Sequence, residues 1–227
     1  MSPIGYRVLP AAAQPVSSQM LQAFATVGVA QISDCMGRLY GVRGLRPLHA
    51  AHAGRLAGLA RTVKTRPGDN LMIHKAISLA QPGEVLVVDG AGELANALVG
   101  ELMAMDAERR GMAGFVIDGA VRDADVFAQG AFPCFARGVA HLGPYKDGPG
   151  EINVPVCVGG QVVCAGDVIV GDADGVLAIP AAQAEQVLAA AMRKEADEAA
   201  IKDKIRAGTY AKPWMDQAIA AKTGGAQ

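Results

Sequence analysis

The chain has 227 residues, 51% of them hydrophobic and 19% charged, which is enough apolar material for one sizeable core. Its 21 Lys and Arg nearly balance 22 Asp and Glu, a net charge of −1, so no overall field draws it to nucleic acid or to an anionic membrane surface. No apolar run reaches the ~18 residues of a membrane span, and no basic segment leads into an apolar one near the N-terminus. The expectation is a single cytoplasmic domain over 1–227, its core at about 20–208 and a tail at 209–227.

A first helix is predicted after Ser17 and Ser18, where Met20, Leu21, Phe24 and Val27 recur at helical spacing and Gly28 supplies a stop. From Gly54 on, apolar runs alternate with helical stretches: a strand at 56–65, a helix at 70–80, a strand at 85–89, a helix at 101–110 and a strand at 114–118. The helix at 101–110 ends at Gly111, with Arg109 and Arg110 against the negative end of its dipole. After Pro133 the pattern becomes β-rich, with strands at 134–137, 154–158, 162–164, 168–170 and 176–179, several of them antiparallel, and turns at Gly159-Gly160 and Asp174-Gly175. Pro180 opens a long last helix with Val187, Leu188, Ala191 and Met192 on one face and charge from Arg193 on; the closing Thr-Gly-Gly-Ala-Gln reads as disordered. Cys35, Cys134, Cys157 and Cys164 show no CxxC or Cys/His spacing and read as reduced core residues.

The most informative stretch runs from Gly100-Glu101-Leu102-Met103, through a helix and the strand Phe115-Val116-Ile117-Asp118, to Gly119-Ala120-Val121-Arg122-Asp123. A glycine ahead of a helix leaves the first N–H groups open, and with the positive end of the helix dipole these bind a carboxylate or phosphate; Leu102 and Met103 supply those amides. A loop after a buried strand is where α/β proteins place ligand groups. Arg122 can hold a substrate carboxylate through two parallel hydrogen bonds and Asp123 can hold Mg²⁺ or Mn²⁺, a pair suited to a chelating 2-oxo acid. The residues alone equally admit Asp123 as the cap of a short helix at 124–129, Arg122 in a surface ion pair, and Glu101 as a plain complement to its helix dipole.

His74 lies four residues after Asn70, so the two share a helix face, either near the site or as structural residues. His49, His52 and His141 have no metal-ligand spacing. The Gly- and Pro-rich stretch 143–150 reads as an exposed loop, a cover for a site or a plain turn. Asp89-Gly90-Ala91-Gly92-Glu93 has a GxG pair but no third glycine opening a helix, so neither S-adenosylmethionine nor NAD is expected.

Glu101, a gap of 20 residues, then Arg122-Asp123 resembles the acid-gap-Arg-Asp signature of the class II 4-hydroxy-4-methyl-2-oxoglutarate aldolase family, which includes the regulator of ribonuclease E activity A. The likeness extends to Pro67-Gly68-Asp69-Asn70 with His74, Val116-Ile117-Asp118, Phe132-Pro133, Ile152-Asn153-Val154-Pro155, Gly166-Asp167-Val168-Ile169 and Asp172-Ala173-Asp174-Gly175-Val176. The first acid of the signature, usually Asp in the aldolases, is the longer Glu101 here. The resemblance implies an α/β, layered β/β/α swivelling-type domain with mixed sheets, flanking helices and a protruding C-terminal helix. It implies a lyase dependent on Mg²⁺, Mn²⁺ or another divalent metal that cleaves a small 2-oxo dicarboxylic acid to pyruvate, by aldol cleavage or by decarboxylation of oxaloacetate.

Carried over residue by residue, the resemblance has Asp123 bind the metal directly, Glu101 hold metal-bound water, and Arg122 pair with the substrate near its carboxylate and 2-oxo group. Gly100, Leu102 and Met103, with Asn70 and His74, would surround the substrate. Glu198, or failing it Glu195, would reach in from the last helix of a neighbouring subunit to hold metal-bound water, in a homotrimer or a dimer of trimers. The metal acts as a Lewis acid on the pyruvate enolate, so no Schiff-base lysine is required. The regulator branch implies the alternative, a non-catalytic protein that binds a ribonuclease; Arg122 and Asp123 favour catalysis.

Overall fold

Val85, Leu86, Val87 and Val88 are all fully buried, the pattern of a strand covered on both faces. In the computed structural model, which describes residues 4–11 and 16–223, that strand lies inside a mixed sheet. The elements in chain order are α1 (Ser18–Phe24), α2 (Val29–Cys35), β1 (Arg46–Pro47), β2 (Leu56–Thr65), α3 (Leu71–Ser78), β3 (Glu84–Val99), α4 (Glu101–Arg109), β4 (Gly114–Val121) and α5 (Ala124–Gln129). There follow β5 (Cys134–Val139), β6 (Gly150–Ile152), β7 (Val156–Val158), β8 (Gln161–Val163), β9 (Val168–Asp172), β10 (Gly175–Ile179), α6 (Ala184–Arg206) and α7 (Pro213–Thr223). By contacts the chain forms two units, one ending at Ala191 and one beginning at Met192.

The first unit is built on four parallel strands in the order β5-β4-β3-β2, each joined to the next by one of α3, α4 and α5. Antiparallel strands extend it: β9 and then β10 beside β2, β1 beside β5, and β6 along the far end of β2. Successive side chains of a strand point to opposite faces. Leu86 and Val88 therefore meet Ile73, Ile77, Met103, Ala107 and Phe127 of the helices. Val85 and Val87 meet Val156, Val158 and Val163 of the β7–β8 hairpin on the other face. This is the expected β/β/α layering. A third cluster, with Phe24, Ile32, Leu177, Ile179, Val187 and Leu188, places α1, α2 and the start of α6 over β9 and β10. No helix among the described residues is long and apolar enough to cross a membrane.

The elements depart from the sequence expectations where local chemistry is specific. The first helix stops at Phe24 instead of reaching Val27, and Ser17 Oγ caps it by accepting the Met20 N–H at 3.2 Å. Gly28 opens a second, seven-residue helix that is too short to show a period. β3 continues past Asp89 to Val99 because residues 90–98 make an excursion opposite Gly119 and Ala120 alone, turning at Ala91 and Gly92, both at positive φ. The GxG pair therefore sits within a strand. Where a tail was expected, Pro213 opens α7, which buries none of its residues; of the stretch read as disordered, residues 224–227 lie outside the described set. Cys134 is buried, but Cys157 and Cys164 are exposed, so the core reading fails for those two; all four thiols are free.

One buried ion pair ties the sheet together. The Arg61 guanidinium donates to Glu84 Oε2 at 2.6 Å and to Oε1 at 3.0 Å, and the Gln81 N–H donates to the same Oε2 at 2.7 Å. Arg61 is 3% exposed, so losing its partner strands a charge without water. Glu84→Ala is expected to lower the unfolding free energy by roughly 3–5 kcal/mol in urea denaturation; a loss under about 1 kcal/mol would show that the pair is structurally idle.

Candidate active site

All eight residues of β4 are buried, and the chain must turn sharply once Val121 has passed. The Arg122 N–H donates to Val99 O at 3.0 Å, keeping the ends of β3 and β4 together. Asp123 makes the turn in the left-handed region, at φ 58° and ψ 43°. That conformation costs a residue with a Cβ about 1–2 kcal/mol, and Asp and Asn tolerate it best. The turn sends the carboxylate back over the start of α4, where Oδ2 accepts the Glu101 N–H at 2.8 Å and lies 3.7 Å from Arg122 Nε. Asp123 precedes α5 but gives it no side-chain cap. The capping role weighed for it is thus corrected: the carboxylate serves α4 instead, at the positive end of that helix dipole.

Gly100 is required by this geometry. A Cβ there would collide with Asp123 Oδ2 and come within 2.9 Å of Arg122 Cγ and 3.1 Å of Arg122 Nε. Of the two amides expected to bind a carboxylate, the Met103 N–H is committed to Gly100 O at 3.1 Å, while the Leu102 N–H keeps no acceptor among the described residues.

Gly100, Leu102, Met103, Arg122, Asn70 and His74 all line one cavity of about 260 Å³ at the carboxyl ends of β3 and β4. This is where parallel α/β sheets place ligands. Asn70 is 2% exposed; its Nδ2 donates to Leu98 O at 3.0 Å, whereas its buried Oδ1 has no partner among the described residues. Partial burial, aided by the Lys146 cation and opposed by Asp106, lowers the His74 pKa and so favours its neutral imidazole. Glu101 and Asp123 do not line the cavity; they stand beside it through the Gly100–Glu101 turn.

Among the described residues no group of three or more His, Cys, Asp and Glu is assembled. Asp123 Oδ1, on a carboxylate 36% exposed, makes no hydrogen bond there. The Asp123 carboxylate is the group here that could hold a hard cation such as Mg²⁺, which binds through one or two carboxylates. Glu198 and Glu195 belong to the second unit, where Glu198 pairs with Lys194 at 3.6 Å.

The sequence reading missed Lys146, which lines the cavity together with Gly143 and Pro144. Its only signal was its place inside the Gly- and Pro-rich stretch 143–150. That loop is pinned rather than loose: Ala97 N–H donates to Leu142 O at 2.8 Å and Asn96 Nδ2 to Gly143 O at 2.6 Å.

Comparison with known proteins agrees with this architecture. A protein of Halalkalibacterium halodurans named "Putative 4-hydroxy-4-methyl-2-oxoglutarate aldolase" is 41% identical over 189 residues, covering 81% of this chain and 89% of that one. Among solved structures, an uncharacterized protein from Pseudomonas syringae pv. tomato superposes with a TM-score of 0.77 at 26% identity, covering 87% of this chain and 97% of that one. The RNA-processing inhibitor RraA from Thermus thermophilis gives a TM-score of 0.61 at 32% identity, over 67% of this chain and 92% of its own. The family model described as RraA-like, Aldolase/RraA, matches residues 29–178, and the chain belongs to that family.

Proposed function

We propose that this chain is a divalent-cation-dependent lyase that breaks a carbon–carbon bond of a small 2-oxo dicarboxylic acid and releases pyruvate, by aldol cleavage, by decarboxylation of oxaloacetate, or by both. The observation that carries this reading is the left-handed turn that sets Arg122 and Asp123 against the N-terminus of α4, beside a cavity with no acidic lining residue. Backbone strain at a non-glycine residue is retained where function needs it. The aldolase name of the 41% identical relative supports the same reading.

In this reading the Leu102 N–H and the Arg122 guanidinium orient one substrate carboxylate and the adjacent 2-oxo oxygen. As the bond breaks, its electron pair moves toward that oxygen, and Arg122 stands where the negative charge grows. Asn70, which lines the same cavity, would contact the substrate there. Asp123 would hold Mg²⁺ or Mn²⁺ directly, with Glu101 and Glu198 of the partner subunit holding it through water. A divalent cation held there would supply Lewis acidity to the bond-breaking step. We place the enzyme in the cytoplasm, where its free thiols stay reduced.

A homotrimer or a dimer of trimers completes the proposal. Leu102 and Met105 of α4 are 75% and 58% exposed, and Leu142 beside the cavity is also exposed, an apolar surface suited to a second copy of the chain. A protein that acts as an RNA-processing inhibitor, as the Thermus relative is named, needs no such chemistry.

Turnover and assembly assays test the proposal. With Mg²⁺ or Mn²⁺ the protein is expected to release pyruvate from 4-hydroxy-4-methyl-2-oxoglutarate or oxaloacetate above the metal-only blank, and chelation should stop it. Asp123→Asn keeps a residue that tolerates the left-handed turn yet should lose roughly 10³-fold in kcat/KM; retained turnover would refute the assignment, and no wild-type turnover would favour the inhibitor reading. Glu198→Ala should likewise depress turnover, and mixing it with Arg122→Ala should recover some activity through hybrid interfaces. An active monomer in sedimentation, or no recovery on mixing, would remove Glu198 from the site.

A further inference from the structure

We propose that Lys146, with His74 beside it, receives the second carboxylate of the substrate and so sets the preference for dicarboxylic over monocarboxylic 2-oxo acids. The proposal rests on the lyase reading and deepens it. Two side chains lining the cavity are cationic, Arg122 and Lys146, and none is acidic. Arg122 has Asp123 at 3.7 Å as a partial counter-charge, whereas no ion pair to Lys146 is formed among the described residues. A 2-oxo dicarboxylate brings two anions. If Arg122 and the start of α4 take one, the other needs its own cation, because a carboxylate confined without a partner pays its desolvation in full.

Lys146 is also held as a binding residue must be. On its N-terminal side the Tyr145 N–H donates to Gly68 O at 2.8 Å, and Tyr145 O accepts the Asn70 N–H at 3.0 Å. On its C-terminal side the Asp147 and Gly148 N–H groups both donate to Asp69 Oδ2, at 2.8 and 2.9 Å. Asp69 is fully buried, and its Oδ1 accepts the Leu71 N–H at 2.9 Å, at the start of the helix that carries His74. One carboxylate therefore fixes the backbone under both residues. The Lys146 cation is close enough to His74 to help lower its pKa, and a neutral imidazole can donate one hydrogen bond to the same carboxylate. The clamp fixes the lysine's origin while its four-carbon stem stays free to follow substituents of different size at the reacting carbon.

The test compares kcat/KM for 4-hydroxy-4-methyl-2-oxoglutarate with that for 4-hydroxy-2-oxopentanoate, which offers the same scissile bond without the second carboxylate. Lys146→Ala is expected to lower the dicarboxylate-to-monocarboxylate ratio by at least roughly 10-fold, chiefly through KM, and Lys146→Arg to restore much of it. A ratio within about 2-fold of wild type, or equal losses on both substrates, would overturn the proposal. If the wild type cleaves neither substrate and does not decarboxylate oxaloacetate, the lyase reading fails. The role of Lys146 is then decided by calorimetric Kd values for 2-oxoglutarate against 2-oxopentanoate, and an unchanged Kd ratio in Lys146→Ala refutes it.

Discussion

The hydrogen bond from the Glu101 N–H to Asp123 Oδ2 is the contact on which the rest of the site depends. It joins the end of β4 to the start of α4 and demands three things of the chain. Gly100 must lack a side chain, because a Cβ would occupy the space of the carboxylate. Asp123 must accept a left-handed backbone, because an extended one would carry its side chain elsewhere. The ends of β3 and β4 must lie side by side, as they do with Val99 paired to Val121. Parallel pairing of that kind is stable only when both faces are covered, which the helices and the β7–β8 hairpin achieve together.

The same device occurs twice. At Asp123 a carboxylate takes a backbone N–H and sets Arg122, its neighbour in sequence, at the cavity. At Asp69 a fully buried carboxylate takes three backbone N–H groups and sets the loop that carries Lys146 at the same cavity. Charge-assisted hydrogen bonds to backbone amides are among the stronger local restraints available to a loop. Here they hold two flexible cationic side chains from fixed backbone positions, so ordering them on binding costs less entropy.

Much of this was legible in the sequence, for definite reasons. β2 was read at its observed limits because its apolar run is bounded by Gly and Pro, and α4 to within one residue because Gly100 and Gly111 bracket it. Arg122, Asp123, Gly100 and Leu102 stood out because a glycine before a helix and a charged loop after a buried strand each have a physical use. The helix α2 and the strands β1 and β6 are too short to show a period. The excursion of β3 depends on a bulge that only its partner strand reveals. Lys146 was missed because its clamp is made by Asp69, more than seventy residues away, and a contact of that range leaves no local pattern. The exposure of Cys157 follows from its position on the outer face of β7, where alternation rather than residue type decides, and Cys164 lies just past the end of β8.

The central proposal is that Asp123, held in its left-handed turn, would bind a divalent cation jointly with a 2-oxo acid. It is tested most directly by titrating Mn²⁺ into the wild type and Asp123→Asn, with and without oxalate, a planar chelating mimic of a pyruvate enolate, and reading free Mn²⁺ by electron paramagnetic resonance. The account predicts that oxalate tightens Mn²⁺ binding to the wild type by at least roughly 10-fold and that Asp123→Asn abolishes this gain while the chain stays folded. Equal Mn²⁺ affinity in both proteins, unmoved by oxalate, would contradict it.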